Sequence, residues 1–461
     1  MTYWGKCLYR WTLIAITIGI VAGIAALIFH MTIKILETIF LRGILQYNLP
    51  KPLIGGSFEI SNTVTIGSPY LTPVIITLGC LLSGLIPYIL ALKVEGHGAD
   101  AVIKAYHKGE HIQPSTSIIK LITASLTIGL GGSAGRQGPI AHITAGLASL
   151  IAKMLKLPLK DSKIAMIVGM GAGVGALFKA PLGGAIFAAE VLYRRGIELK
   201  VLYPALIASI TGYIIFCSIM GFSPLLMVGK LTLNISLIPF LILLGLLSGL
   251  MARLYIKTFY TISSLLHKLN IPPYARTALG GFLASLIALF LPQIMGSGLD
   301  WIQRILVVNP NEALIVHGTI VNVPPLLALV LLPFAKMLAT ALVVGSGSSG
   351  GVFAPGIFIG AFLGATVGYM AILTMHDVNI SMALFIVVGM LAHFAAASKT
   401  IFAVTVMVLE MTRSPQILPL ALLTVILAHI TSGGDTIYRS QGTTKSYIKI
   451  IKRWLSSASN K

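Results

Sequence analysis

Charge is scarce in this chain. Only 10% of its 461 residues are Asp, Glu, Lys or Arg, where a soluble globular protein carries roughly 25%. Acidic residues are the scarcest, 13 against 33 basic ones. Such a composition excludes an ordinary soluble domain, which needs a charged surface. Cysteine is nearly missing as well. Cys7, Cys80 and Cys217 stand far apart, so neither a disulfide framework nor a thiolate metal centre is expected. No G-x-x-x-x-G-K-[ST] loop occurs, which removes the common phosphate cradle of soluble enzymes. No cofactor, no metal and no nucleic-acid partner are expected, because the basic residues are scattered between apolar stretches rather than gathered on one segment.

What fills the chain instead is apolar. Hydrophobic residues make up 56% and the mean hydropathy is +0.93. A membrane span needs about 20 such residues. Uncharged runs of that length recur at Trp11–Phe29, Leu71–Leu92, Leu231–Ala252 and Thr277–Leu299. The run Met337–His376 is too long for one span and holds a Gly/Ser knot, so it reads as two helices meeting at a break. The expected fold is all-α, a multi-pass integral membrane protein. Trp11–Phe29 is longer than a signal-peptide core and has no small-residue cleavage pattern after it, so it is kept as a span. The net charge of +20 is read as inside-positive loops plus contacts with membrane lipids. Lys6 and Arg10 before the first span, and Arg439 to Arg453 at the other end, put both termini on the cytoplasmic side of an inner or plasma membrane.

One stretch organises the rest. Gly129 to Pro139 is a glycine-rich bend in which proline opens an uncharged helix. Proline suits a first helical turn, where its missing N–H is no loss. The free amides of that turn, together with the helix dipole, form an anion-binding end. Inside a membrane, irregular backbone is tolerated only where protein or a polar cavity surrounds it.

The second half repeats this order. Gly296-Ser297-Gly298-Leu299-Asp300 matches Gly96-His97-Gly98-Ala99-Asp100 in a G-x-G-x-D pattern, and Gly347 to Pro355 matches Gly132 to Pro139. Gly389 to Met411 matches Gly169 to Val191 without a gap, aligning Lys179 with Lys399 and Glu190 with Glu410. Three matches in one order indicate an internal duplication. The halves are expected at about 72–215 and 231–432, within a single transmembrane domain covering 1–461. A basic C-terminal helix is expected over about 436–455, with no C-terminal regulatory domain. Paired Gly/Pro-broken helices in duplicated membrane halves point to a site near mid-membrane, faced by half-helix N-termini, with the halves in inverted topology.

At these residues the sequence resembles the CLC family of chloride channels and chloride/proton antiporters, from about Glu95 to Tyr438. The carriers are Gly96-His97-Gly98, Gly135-Arg136-Gln137-Gly138-Pro139, Gly350 to Pro355, Val408 to Thr412, and Gly433-Gly434 with Tyr438 four residues on. The resemblance implies a homodimer with an anion path in each subunit. It implies a central chloride held by the amides of Val352 and Phe353 and by the Tyr438 hydroxyl, with an outer position over Gly135, Arg136, Gln137 and Gly138. Neutral donors suit such a task, since binding must be weak enough for release.

Three departures from the family pattern shape the functional expectation. Gln137 stands at the gate position, where many members carry a glutamate. An amide neither titrates nor carries charge, so it should neither block electrostatically nor relay a proton. Val191 stands at the internal proton site, where antiporters carry a second glutamate just after the residue matching Glu190. Glu190 itself is expected to be a structural carboxylate paired near Arg194 or Arg195. His97 stands where many members place a serine hydroxyl. Its imidazole either donates to the ion, which would make transport sensitive around pH ~6.5, or turns away. Arg136 is expected to pin local backbone or to raise the potential at the mouth, and His142, His393 and His429 to be packing residues.

The expected function is passive passage of chloride and other small monovalent anions, channel-like and not proton-coupled. The alternatives are a chloride/proton antiporter with a rerouted proton path, and an enzyme of another class. Gly347-Ser348-Ser349-Gly350 fits a serine-protease pattern with His393 and His429 on later helices, and such a dyad requires a base within hydrogen-bond reach of the serine. The duplication argues for a transporter and against an enzyme.

Overall fold

Proline sets where helices begin in this chain. Among the described residues it is the first residue of five of them, at Pro114, Pro181, Pro273, Pro310 and Pro325, where its fixed φ is already helical. The computed structural model describes residues 3–48, 64–92, 96–229, 231, 234–308, 310–321, 323–376 and 380–444. The first set of helices is α1 (Tyr3–Leu36), α2 (Thr72–Ile89), α3 (Gly98–Lys108), α4 (Pro114–Gly129), α5 (Gln137–Met154), α6 (Leu159–Leu177), α7 (Pro181–Glu190) and α8 (Leu199–Met220). The second is α9 (Ile238–His267), α10 (Pro273–Phe290), α11 (Leu299–Val307), the single turn α12 (Pro310–Ala313), α13 (Pro325–Gly345), α14 (Phe353–Met375), α15 (Met382–Ser398), α16 (Ile401–Thr412) and α17 (Leu418–Thr431). Among the described residues, seven helical stretches are long and apolar enough to cross a membrane. The long apolar run breaks as expected, between the end of α13 at Gly345 and the start of α14 at Phe353.

A small sheet ties the two sets together outside the helices. β1 (Tyr47–Asn48) pairs antiparallel with β2 (Val64–Ile66), Tyr47 opposite Ile66. β2 pairs parallel with β3 (Val316–His317), Val64 opposite Val316.

The duplication extends to side-chain chemistry. Lys179 and Lys399 both take positive φ, 53° and 59°, at the turns into α7 and α16, a conformation uncommon for any residue but glycine. Each ammonium then caps a distant helix C-terminus. Lys179 Nζ reaches Gly221 O at 2.7 Å and Ser223 O at 3.0 Å beyond α8. Lys399 Nζ reaches Gly433 O at 2.7 Å and Ser432 Oγ at 2.6 Å beyond α17. Cations there satisfy orphan carbonyls and oppose the negative dipole end.

Glu190 and Glu410 form the matching pair at helix starts. Glu190, near the end of α7, accepts from Ala403 N at 2.7 Å and Phe402 N at 3.3 Å in the first turn of α16. Glu410, near the end of α16, accepts from Gly183 N at 2.7 Å and Leu182 N at 3.1 Å in the first turn of α7. The end of each helix therefore lies at the start of the other, so these equivalent helices run antiparallel, as inverted halves require. Glu190 is structural, but its partners are helix-end amides rather than Arg194 or Arg195.

Two boundaries differ from the expectation. α1 packs on α4, α5, α6 and α8 in the way that α9 packs on α13, α14, α15 and α17. The duplicated pattern therefore reaches back ahead of residue 72. Residues 436–444 are turns and bends rather than the start of a helix, and the remainder of the helix expected to about 455 lies outside the described residues.

Candidate functional site

The two glycine knots meet. Gly135 N donates to Gly351 O and Gly351 N donates to Gly135 O, both at 2.7 Å. This two-bond clasp sits just ahead of α5 and α14, so both broken helices start from one point. Pro139 and Pro355 are each the third residue of their helix. The first helical bonds run from Ile140 N to Arg136 O at 3.1 Å and from Gly356 N to Val352 O at 3.0 Å. The amides of Gln137, Gly138, Phe353 and Ala354 stand ahead of these bonds, in the turn where a helix has no partners for them.

The approach is close enough to require glycine. A Cβ on Gly351 would lie 2.7 Å from Gly138 N, and one on Gly98 would lie 2.5 Å from Gly138 O. The start of α3 thus joins the same junction, with His97 at its N-cap and bridged to Gly350.

Two buried lysines hold the G-x-G-x-D turns, one in each half. Lys336, fully buried, donates to Ile294 O at 2.7 Å and to Gly296 O at 2.8 Å. Lys120 donates to Gly96 O in the equivalent place. Sequence reasoning passed over both lysines. The available signal was position, since Lys120 precedes Pro139 by the same interval as Lys336 precedes Pro355.

The Tyr438 segment hangs from three anchors. Ile437 N donates to Ala397 O at 2.9 Å. Tyr260 on α9 donates its hydroxyl to Ile437 O at 2.6 Å. Asp100, the acidic residue of the first G-x-G-x-D, accepts from Ser440 N and Ser440 Oγ, both at 2.8 Å. The buried Tyr438 hydroxyl then lies 3.5 Å from Gln137 Oε1 as its donor. The His97 ring is tilted against Tyr438 with centroids 5.9 Å apart and meets Phe259 edge-on at 5.8 Å. It is therefore turned into the junction rather than away from it.

The junction holds side-chain nitrogens without partners. Among the described residues, Gln137 Nε2 and His97 Nδ1 are buried without a hydrogen-bond partner. Buried polar atoms are normally paired, so two orphans beside two helix N-termini suit an anion. Val352 and Phe353 are buried, and Tyr255 of α9 fixes the start of α14 by donating to Val352 O at 3.0 Å. Gly135 and Gly138 form the floor of the clasp.

Arg136 does not turn its side chain into this junction. Its guanidinium donates to Glu37 Oε1 at 3.0 Å and approaches His30 Nδ1 at 3.4 Å, both contributed by the N-terminal helical run. Glu37 opens a π-helical segment, Glu37–Ile44, that continues from α1. Sequence reading passed over this partner, since nothing in the pattern links residues so far apart. Val191 is buried at the end of α7 and offers no polar group.

The protease constellation is not assembled. Ser349 Oγ accepts from Thr123 Oγ1 at 2.8 Å, while His393 Nδ1 lies 2.8 Å from Gly356 O. Those contacts tie His393 to the first turn of α14 and give Ser349 a hydroxyl partner.

Known proteins share this fold. A family profile described as voltage gated chloride channel matches residues 79–433. The voltage-gated ClC-type chloride channel ClcB of Escherichia coli is 28% identical over 451 residues, covering 95% of this chain and 100% of its own. An uncharacterized protein of Methanocaldococcus jannaschii is 36% identical over 284 residues, 61% of this chain and 67% of its own. A solved slow cyanobacterial Cl−/H+ antiporter has a TM-score of 0.77 at 22% identity, covering 97% of this chain and 98% of its own. A CLC-type fluoride/proton antiporter has a TM-score of 0.75 at 21% identity, covering 96% and 100%.

Proposed function

Because the chain belongs to the voltage-gated chloride channel family, we propose that it passes chloride and other small monovalent anions down their gradient, without stoichiometric proton exchange. The observation that carries this reading is the donor set at the clasp. Two helix N-termini, the Tyr438 hydroxyl and the unpartnered Gln137 Nε2 and His97 Nδ1 converge there, while the adjacent Arg136 guanidinium is engaged by Glu37. Neutral donors hold an anion without trapping it. Each helix end contributes roughly 0.3–2 kcal/mol, so one alone is weak, and the starts of α5 and α14 act together with the side-chain donors. The ion's proposed contacts are His97, the amides of Val352 and Phe353, and Tyr438, with the outer position over Gly135 to Gly138.

Gln137 and Val191 support the absence of coupling, since neither has a titratable side chain. A second reading, antiport by another proton route, draws on Glu37, the carboxylate that sits beside Arg136 one residue from the gate position. One experiment separates the two. Purified protein in vesicles is given a chloride gradient, and chloride and proton movement are recorded together. Chloride flux with no linked proton movement is expected. Uphill proton movement driven by chloride would refute the uncoupled reading and favour the Glu37 route.

The reading includes a homodimer in the plasma membrane with cytoplasmic termini. Basic loops gather at one end of the fold, which supports that orientation. There Arg10 pairs with Asp161, Lys163 lies over the Tyr106 ring at 5.2 Å, and Arg194 N donates to Gly442 O at 2.8 Å.

A further inference from the structure

A cavity of about 1050 Å³ opens beside the Tyr438 segment. Among the described residues its wall carries five cations, Arg194, Arg253, Lys257, Lys268 and Arg439, against one carboxylate, Asp435. Among the described residues Arg253, Lys257 and Lys268 hold no ion pair. On α9 and its C-cap the lining residues Arg253, Lys257, Thr261, Ser264 and Lys268 recur at helical spacing, a stripe of cations and hydroxyls on one face. At about 1.5 Å per residue that stripe is about 22 Å long. Arg194 and Arg439 face it from other segments. The Arg439 guanidinium lies 3.4 Å over the Tyr260 ring, and Arg194 donates to Gly434 O at 3.2 Å while its Nε is buried without a partner.

This is more charge and more room than a halide uses. One water takes about 30 Å³, so a single chloride would fill little of the space and neutralise one cation. Three arginines and two lysines on facing walls match a ligand with several anionic oxygens, which guanidinium forks bind in pairs. We propose that the cavity binds a multivalent phosphate anion and that its occupancy closes the ion path from that side. The closing half rests on the transport reading above. Thr436 and Tyr260 line the cavity, and Phe259, next in sequence to Tyr260, touches His97. An occupant therefore stands on the approach to His97 and Tyr438. The phosphate can come from a soluble oligophosphate or from a phosphorylated lipid headgroup. Exposed Leu250, Leu254 and Leu265 on α9 line the same cavity beside the cations, apolar surface of the kind a lipid's acyl chains would cover.

The test uses the full chain. In detergent, inorganic tripolyphosphate is titrated by calorimetry onto the wild type, onto Arg253→Gln/Lys257→Gln, and onto Lys268→Gln as an independent variant of the same stripe. Lys104→Gln/Lys108→Gln serves as a basic control outside the cavity. Binding weakened at least tenfold by the double variant and not by the control is expected. In vesicles, chloride efflux is measured with tripolyphosphate on either side, and separately with phosphatidylinositol phosphates or only phosphatidylcholine in the bilayer. Inhibition from one side only, relieved by the stripe variants, supports the soluble source. Inhibition by phosphoinositide alone, equally relieved, supports the lipid source. Equal affinity across all variants, or neither binding nor phosphoinositide inhibition, overturns the site. Binding in detergent without any inhibition in vesicles overturns the closing half. Wild-type vesicles without chloride flux would instead count against the transport reading, on which the detergent titration does not depend.

Discussion

Replacing Gln137 with glutamate exchanges an amide for a carboxylate of the same shape at the start of α5. The side chain is 1% exposed, its Oε1 lies 3.5 Å from the Tyr438 hydroxyl, and its helix begins at the clasp shared with α14. An ionised carboxylate there gains from the helix end by roughly 0.3–2 kcal/mol. It also turns the Tyr438 contact into a hydrogen bond to a charged group, worth about 1.5–3 kcal/mol. A combined ~3 kcal/mol corresponds to about 100-fold at roughly 1.4 kcal/mol per tenfold. Competition from the permeant ion reduces this, so a 10- to 100-fold lower flux is expected for Gln137→Glu at pH ~7.5. The sign of the pH dependence follows from which form blocks. The ionised form blocks, so flux recovers as pH falls. A free glutamate titrates near ~4.3; the helix end and Tyr438 favour the ionised form while burial of the side chain opposes it, so recovery is sought as a rise in flux toward the acid end of the range. The assay is chloride efflux from vesicles between about pH 4 and pH 8, expressed as the ratio of variant to wild type so that other titrating groups cancel. A ratio that stays constant over that range would refute the placement of Gln137 on the ion path.

Tyr438→Ala should change anion rate or selectivity by several-fold, while His142→Ala, on the same helix as Gln137 but beyond its first turn, should not. Equal effects in a chloride, bromide and nitrate flux series would remove Tyr438 from the path. Glu190→Ala and Glu410→Ala should each lower stability by about 1–3 kcal/mol, because each leaves two helix-end amides without their acceptor, and Glu190→Gln should lose less. Thermal unfolding in detergent reads this as a fall of a few degrees, and an unchanged midpoint for Glu190→Ala would show that the reciprocal caps carry no stability.

Local chemistry fixed much of this protein in its sequence. Scarce charge and long apolar runs required a membrane. The glycine knots with Pro139 and Pro355 required broken helices, because backbone conformation at glycine and proline depends on the residue itself. The aligned Lys179/Lys399 and Glu190/Glu410 exposed the duplication. Periodicity and spacing end there, since they do not say which helix end faces which. The partner of Glu190 was the first turn of α16, not a nearby arginine, because the antiparallel packing of α7 and α16 brings amides to it. The orientation of His97, the hold of Glu37 on Arg136, the anchoring of Tyr438 by Asp100 and the lysine locks at Gly96 and Gly296 were likewise decided by packing. Each joins segments far apart in the chain, and only burial, which makes an unpaired charge or amide costly, selects among their possible partners.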